Sequence, residues 1–231
     1  MVNVLVFNHF TGKMEKHALN LSSPMPFTTG RTLTVGEFRA KSNSNIIWTD
    51  TRAMQAWNAT RAAWGKPIHV GYAFRRLGEG GHANQSQHYA GVSFDVGQNL
   101  SNSERAALRN TASRLGVWSY VEPAHLTPTW VHFDTRQGPP ACAAGFPLLK
   151  RGSVGVYVCT LQDALGTAGI PAVGVDGIFG PATENAVKLF QRENRLTADG
   201  IVGCATWTRL TALTNGAFRR VTPIPPQYAN A

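Results

Sequence analysis

The sequence predicts two domains of different class: an α+β N-terminal domain with a small antiparallel sheet and flanking helices, then an all-α domain of three helices. Three observations carry this. Short apolar-alternating segments mixed with helical patterns fill the chain up to about residue 137. A turn-rich stretch, Gln137-Gly138-Pro139-Pro140-Ala141-Cys142, then breaks the pattern. Beyond it an eight-residue motif recurs with a period of 23 residues, from Asp176 to Asp199. The expected division is 1–137 for the first domain, 138–147 for a linker, 148–215 for the second domain, and 216–231 for a tail that carries the Pro-rich stretch Pro223 to Pro226.

The elements follow in chain order. Val2 to Phe7 alternates polar and apolar residues without a basic leader or a long apolar run, so it reads as a strand and not as a signal peptide. Further strands are expected at Ile68 to Tyr72, Val92 to Val96 and Thr129 to Asp134, with helices at Arg52 to Trp64 and Ser103 to Leu115. In the second domain, Val156, Val158, Leu161 and Leu165 mark one helix, Ala186, Val187, Leu189 and Phe190 another, and Trp207, Leu210 and Leu213 a third. The motif Asp176-Gly-Ile-Phe-Gly-Pro-Ala-Thr183 returns as Asp199-Gly-Ile-Val-Gly-Cys-Ala-Thr206 with six of eight positions kept. Each copy sets Asp-Gly in a tight turn and launches a helix, with Pro181 suited to a first helical position.

Composition narrows the function. Hydrophobic residues at 43% and charged residues at 15% describe a folded globular chain. Lys and Arg outnumber Asp and Glu 22 to 13, a net charge of +9, which favours an acidic polymer as partner. The basic residues are scattered, with no run longer than pairs such as Arg75-Arg76 and no aromatic interleaving, which disfavours nucleic acid. No window approaches the roughly 18 apolar residues of a spanning helix, so membrane insertion is not expected. Cys142, Cys159 and Cys204 lack CxxC spacing, which argues against a cysteine-based zinc site. One disulfide with a free thiol, or none, fits; Cys142 with Cys204 is the preferred pair, and Cys159 reads as buried.

The chemistry is expected on two strands. In Val92-Ser93-Phe94-Asp95-Val96, alternation sets Ser93 and Asp95 opposite the apolar face. In Trp130-Val131-His132-Phe133-Asp134, His132 and Asp134 are likewise opposite Val131 and Phe133. If the strands are neighbours, Asp95 and His132 meet, and His88, on the loop entering the first strand, completes two imidazoles and a carboxylate, a set suited to hydrolytic zinc. His9, His17, His69, His82 and His125 are read as non-ligands.

Two family resemblances extend this reading. Residues 155–210, with the paired DGxxGxxT motif, resemble the peptidoglycan-binding domain of cell-wall hydrolases. Ser86-Gln87-His88-Tyr89-Ala90-Gly91-Val92-Ser93-Phe94-Asp95 resembles the SxHxxGxAxD pattern of zinc D-alanyl-D-alanine peptidases of the VanY and LAS type, with Ser93 in place of Ala; Trp130-Val131-His132 resembles their closing ligand motif. Gly71-Tyr72-Ala73-Phe74-Arg75 and Gly81-His82-Ala83 are similar to the GYR and GGA segments, so that the likeness spans residues 30–137. The resemblance implies one zinc ion held by His88, Asp95 and His132, Arg75 (less so Arg76) holding a substrate carboxylate or carbonyl, and Ser86 contacting substrate or a ligand. At the usual position of the catalytic acid, three residues before the last His, stands Thr129, which cannot take a proton. Glu122 is the first candidate in its place and Asp134 the second.

The expected activity is therefore hydrolysis of an amide bond in the wall's stem peptide, of the D-Ala-D-Ala carboxypeptidase or endopeptidase type, by a monomer acting at the bacterial wall. The C-terminal domain is expected to act as a tether whose loss weakens wall binding more than turnover of a small peptide. The alternative is a catalytically inactive peptidoglycan-binding protein with the same two domains.

Overall fold

A computed structural model describes residues 1–142, 145–170 and 174–217; the Pro-rich stretch Pro223 to Pro226 lies outside the described residues. The protein is mixed α+β and forms two compact units. One comprises Met1–Arg75 and Gln87–Gln137, the other Arg76–Ser86 with the described residues from Gly138 onward.

The first unit holds two sheets. In the first, β1 (Val2–Asn8) is central, antiparallel to β2 (Lys13–Leu19) and parallel to β3 (Ile46–Asp50). This mixed sheet was not expected from the sequence. β2 reads Lys-Met-Glu-Lys-His-Ala-Leu, without β-branched residues, and it forms because charges are tolerated on a sheet edge. The turn before it is set by Asn8, whose Oδ1 accepts the Phe10 amide at 2.9 Å. The single-turn helix α1 (Val35–Arg39) is opened by a Thr34–Glu37 capping box, and α2 (Thr51–Trp64) by Asp50, whose carboxylate accepts the Ala53 amide at 2.8 Å.

The second sheet is antiparallel, in the order β4-β5-β7-β6, from β4 (Val70–Tyr72), β5 (Ser93–Val96), β6 (Tyr120–Val121) and β7 (Val131–Asp134). Helix α3 (Asn102–Leu115), capped by Ser101 and Glu104, lies between β5 and β6 in the chain. Alternation divides the two central strands as their sequences require. Phe94, Val96, Val131 and Phe133 are fully buried on one face. There Phe94 is the hub of an aromatic cluster, with ring centroids 5.0 Å from Trp57, 5.8 Å from Trp118 and 5.9 Å from Phe38. The opposite face carries Ser93, Asp95, His132 and Asp134.

The helical unit contains α4 (Val156–Thr167), α5 (Pro181–Glu193) and α6 (Cys204–Thr214). Its repeat has a physical cause that the motif alone did not reveal: one buried glutamine organises each Asp-Gly turn. Gln162 Nε2 donates to Asp176 Oδ1, the Ile178 carbonyl and Thr183 Oγ1 at 2.7, 3.1 and 3.1 Å, while its Oε1 accepts the Gly177 amide at 2.9 Å. Gln191 makes the same set with Asp199, Ile201 and Thr206 at 2.9, 2.9 and 3.1 Å, and with the Gly200 amide at 2.9 Å. The motif's Asp, Gly and Thr are thereby consumed in holding the fold. Where the first copy opens its helix with Pro181, the second has Cys204, bonded to Cys142 with a Cα separation of 4.9 Å. Cys159 is a buried free thiol.

Replacing Gln191 or Gln162 with Leu removes at least four hydrogen bonds from a turn and takes from the buried Gly200 or Gly177 amide its glutamine acceptor. Each substitution is expected to cost about 3 kcal/mol or more in chemical denaturation, whereas the exposed Gln55→Leu stays within about 0.5 kcal/mol of the parent. Equal stability of all three would contradict the role given to these glutamines.

Candidate metal centre

β5 and β7 are paired so that Asp95 lies directly opposite His132. The register brings their side chains together on the polar face, and His132 Nδ1 stands 2.7 Å from Asp95 Oδ1. The other carboxylate oxygen, Asp95 Oδ2, lies 3.2 Å from His88 Nε2. His88 reaches this position from a loop docked on β3, where Trp48 Nε1 donates to the Tyr89 carbonyl at 3.0 Å and Thr49 Oγ1 to the Gly91 carbonyl at 2.8 Å. The approach is so close that a Cβ on Gly91, whose φ is +67°, would stand 1.9 Å from the Trp48 carbonyl oxygen.

Both imidazoles have their second nitrogen satisfied. His88 Nδ1 is 2.9 Å from the Ala73 carbonyl, an acceptor only, so this nitrogen carries the proton and, in the neutral ring, Nε2 presents a lone pair toward Asp95. His132 Nε2 is 3.2 Å from Asp134 Oδ2. Asp134 is fully buried and is itself gripped by Arg136, whose Nε donates to Oδ1 at 2.8 Å and whose guanidinium stacks 4.2 Å from the centre of the Tyr120 ring. One imidazole backed by a carbonyl and one by a carboxylate is the outer arrangement that fixes metal-ligating histidines. One inner pair has the spacing of zinc ligands: bonds of about 2.0–2.1 Å to tetrahedral zinc set ligand atoms roughly 3.3 Å apart, and the His88 lone pair and the Asp95 carboxylate oxygen that face each other at 3.2 Å need a cation or a proton between them.

In the metal-free protein His132 carries a proton between Asp95 and Asp134. Burial disfavours charge on His132, but hydrogen bonds to Asp134 and Asp95 outweigh it and raise its pKa to about 9. Burial likewise pushes Asp95 upward, and the hydrogen bonds to His132 and His88 overcome it, holding the carboxyl well below the usual carboxylate range. Asp134 is lowered in the same way by Arg136 and His132 against the opposing effect of burial.

The remaining candidates occupy different places. Glu122 continues β6, and its amide donates to the His132 carbonyl at 2.9 Å, so the two residues are opposite each other across the strand pair. The loop between them is shaped by Arg109 of α3, which the sequence reading did not single out; it donates to the carbonyls of Glu122, Thr127 and Trp130 at 2.9, 2.9 and 2.8 Å. Thr129 is exposed on that loop. Arg75 is half-buried and its amide donates to the His88 carbonyl at 3.2 Å. Arg76 is committed to Asp163 of α4, with Nε 2.7 Å from Oδ1. Ser86 falls in the segment belonging to the helical unit, its amide donating to the Ala83 carbonyl at 3.0 Å.

The helical unit has recognisable relatives. Residues 155–210 match the family described as putative peptidoglycan binding domain. This part of the chain is a peptidoglycan-binding domain. The zinc D-Ala-D-Ala carboxypeptidase of Streptomyces albus G is 45% identical over 69 residues, covering 28% of this chain and 26% of that protein. The N-acetylmuramoyl-L-alanine amidase CwlL of Bacillus licheniformis is 41% identical over 73 residues, covering 29% and 19%. A solved peptidoglycan-binding protein from Clostridioides difficile, in complex with glutamine hydroxamate, is 43% identical over 29% of this chain and 42% of its own, with a TM-score of 0.29. The chain thus spans about a quarter or less of the length of these two curated relatives, and the likeness falls on the binding domain.

Two expectations follow from the site. Ser93 is fully buried and its Oγ has no hydrogen-bond partner among the described residues, so Ser93→Ala should leave stability unchanged or raise it by about 1 kcal/mol; a loss above about 1 kcal/mol would contradict the packing described. Because His132 has a raised pKa, its charged form stabilises the metal-free fold fully below its ordinary value of 6.5, and this contribution is lost as pH rises through about 9. Zinc must displace that proton. Calorimetry near neutral pH, in buffers of differing ionisation enthalpy, should register about one proton released per zinc bound and an affinity that rises with pH; proton-neutral binding would place the ion elsewhere.

Proposed function

We propose that the protein is a zinc-dependent peptidoglycan peptidase, hydrolysing an amide bond in the stem peptide of the bacterial wall, with its helical unit binding the polymer. The observation that supports this most is the doubly backed histidine pair facing one carboxylate: His88 set by the Ala73 carbonyl, His132 by Asp134, and Asp95 between them. His88, Asp95 and His132 would hold the ion, which when bound lowers the pKa of a water and polarises the scissile carbonyl.

The chain's own residues account for the rest. Glu122 is half-exposed at the base of the loop opposite His132, and it is assigned the proton traffic: it accepts a proton from the attacking water and returns it to the leaving nitrogen. Asp134, the other carboxylate considered, has both oxygens engaged by Arg136 and His132, which suits it to orienting His132 and not to exchanging protons with substrate. Arg75, placed one hydrogen bond from the His88 backbone, would bind a substrate carboxylate or carbonyl, a part closed to Arg76 by its pairing with Asp163. Ser86 is kept as a substrate-contacting hydroxyl. A net charge of +9 favours retention on an anionic wall polymer, and no helix among the described residues is long and apolar enough to cross a membrane. The protein is proposed to act as a monomer at the bacterial cell wall.

One observation favours the second reading, a wall-binding protein without activity: the exposed Thr129 at the position where the resembled peptidases carry their acid. Digestion of purified peptidoglycan separates the two. With zinc, the wild type should release amino groups or free D-alanine. Glu122→Gln should lower the rate about 10²- to 10⁴-fold at unchanged zinc content, and Asp134→Asn should weaken zinc binding about 10- to 100-fold. Undiminished release by Glu122→Gln would remove that residue from the mechanism, and no release by the wild type would establish the binding-only reading.

A further inference from the structure

Residues 76–86 lie in the chain between Arg75 and His88, yet they belong to the helical unit. In the first unit two hydrogen bonds close the neck of this loop: the Arg75 amide donates to the His88 carbonyl at 3.2 Å, and His88 Nδ1 to the Ala73 carbonyl at 2.9 Å. The body of the loop is fastened by residues of the helical unit. Arg76 bonds Asp163 Oδ1 through both Nε, at 2.7 Å, and Nη2. Asn215, at the end of α6, donates to the His82 carbonyl at 3.0 Å and to Asn84 Oδ1 at 2.9 Å. The Gly216 amide donates to the Leu77 carbonyl at 3.2 Å, and the Phe146 amide to Gln85 Oε1 at 3.2 Å. Backbones approach so closely that a Cβ on Gly80 would stand 2.9 Å from Gly216 Cα.

Asp163 is the anchor. Its side chain is 1% exposed on a helix buried along most of its length, and a buried carboxylate is tolerated only when paired. Nothing in a three-helix unit that merely grips an external polymer calls for this residue, nor for Asn215 reaching back to a main-chain carbonyl 133 positions earlier and a side-chain oxygen 131 positions earlier.

We propose that Arg76 and Asp163 are positioning residues for the metal centre: the wall-binding helices hold the 76–86 loop in one shape, and through its closed neck they hold the His88 imidazole toward Asp95. Its functional meaning rests on the assignment of His88 as a ligand. On this view the helical unit is a structural part of the catalytic apparatus, in contrast to the separable tether that the sequence suggests. Wall engagement and the geometry of His88 then share one element.

The test uses the full chain, metal-free, as wild type, Asp163→Asn and Asn215→Ala. Amide exchange in residues 77–86 should quicken about tenfold or more in both variants, and the His88 ring ¹⁵N signals should shift or broaden, while β5 and β7 amides and sedimentation with purified wall are unchanged. Unaltered exchange in the loop, or a loosened loop with unaltered His88 ring signals, would overturn the proposal. Should Asp163→Asn lose wall sedimentation, and with it the folded helical unit, Asn215→Ala at the end of α6 decides. In a parallel zinc titration the variants should bind about tenfold more weakly. Failure of the wild type to bind zinc would count against the metallopeptidase reading, and the exchange and ring signals would still decide the role of the loop.

Discussion

Asp95 and His132 face each other across two antiparallel strands, and that register fixes both the core and the site. Sliding β7 by one residue against β5 would carry His132 and Asp134 to the apolar face and set Phe133 against Asp95. The aromatic cluster around Phe94 therefore does more than stabilise the unit. By burying Phe94, Phe133 and Trp118 together on one face, it holds Asp95 and His132 in register on the other. Three ionisable groups in so buried a position would be costly alone, and the fold offsets this by giving each a partner: a carbonyl for His88, Asp134 for His132, and both imidazoles for Asp95.

Much of this arrangement is legible in the sequence because the period of a strand is two. The alternation in Val92–Val96 and Thr129–Asp134 separates the ionisable residues from the apolar ones without reference to any neighbour. What alternation cannot supply is the set of main-chain partners. The Ala73 carbonyl that selects the His88 tautomer has no side-chain signature, and Arg109, which shapes the loop beside Glu122 through three carbonyls, reads in sequence as one more charge on a helix. The exposed edge strand β2 escaped notice for a related reason: its residues carry little β-propensity, and its pairing comes from β1.

The helical unit gives the complementary lesson. Its repeat is visible as six matching residues of eight, but the two glutamines that make the repeat necessary sit 14 and 8 residues before their aspartates, so they fall outside any fixed period. The substitution of Cys204 for the proline of the first copy marks where a covalent bond replaces local stiffness. The hydrogen bonds that gather residues 76–86 to this unit are longer in range still, and they link a loop between two elements of the first unit to helices that follow it by some eighty residues or more.

The central claim is that His88, Asp95 and His132 form one zinc site. It is tested most directly by anomalous diffraction at the zinc edge from crystals of the zinc-loaded protein. The account predicts a single strong peak within about 2.0–2.2 Å of His88 Nε2, His132 Nδ1 and an Asp95 oxygen. A peak at other residues, or none at these three, would contradict it.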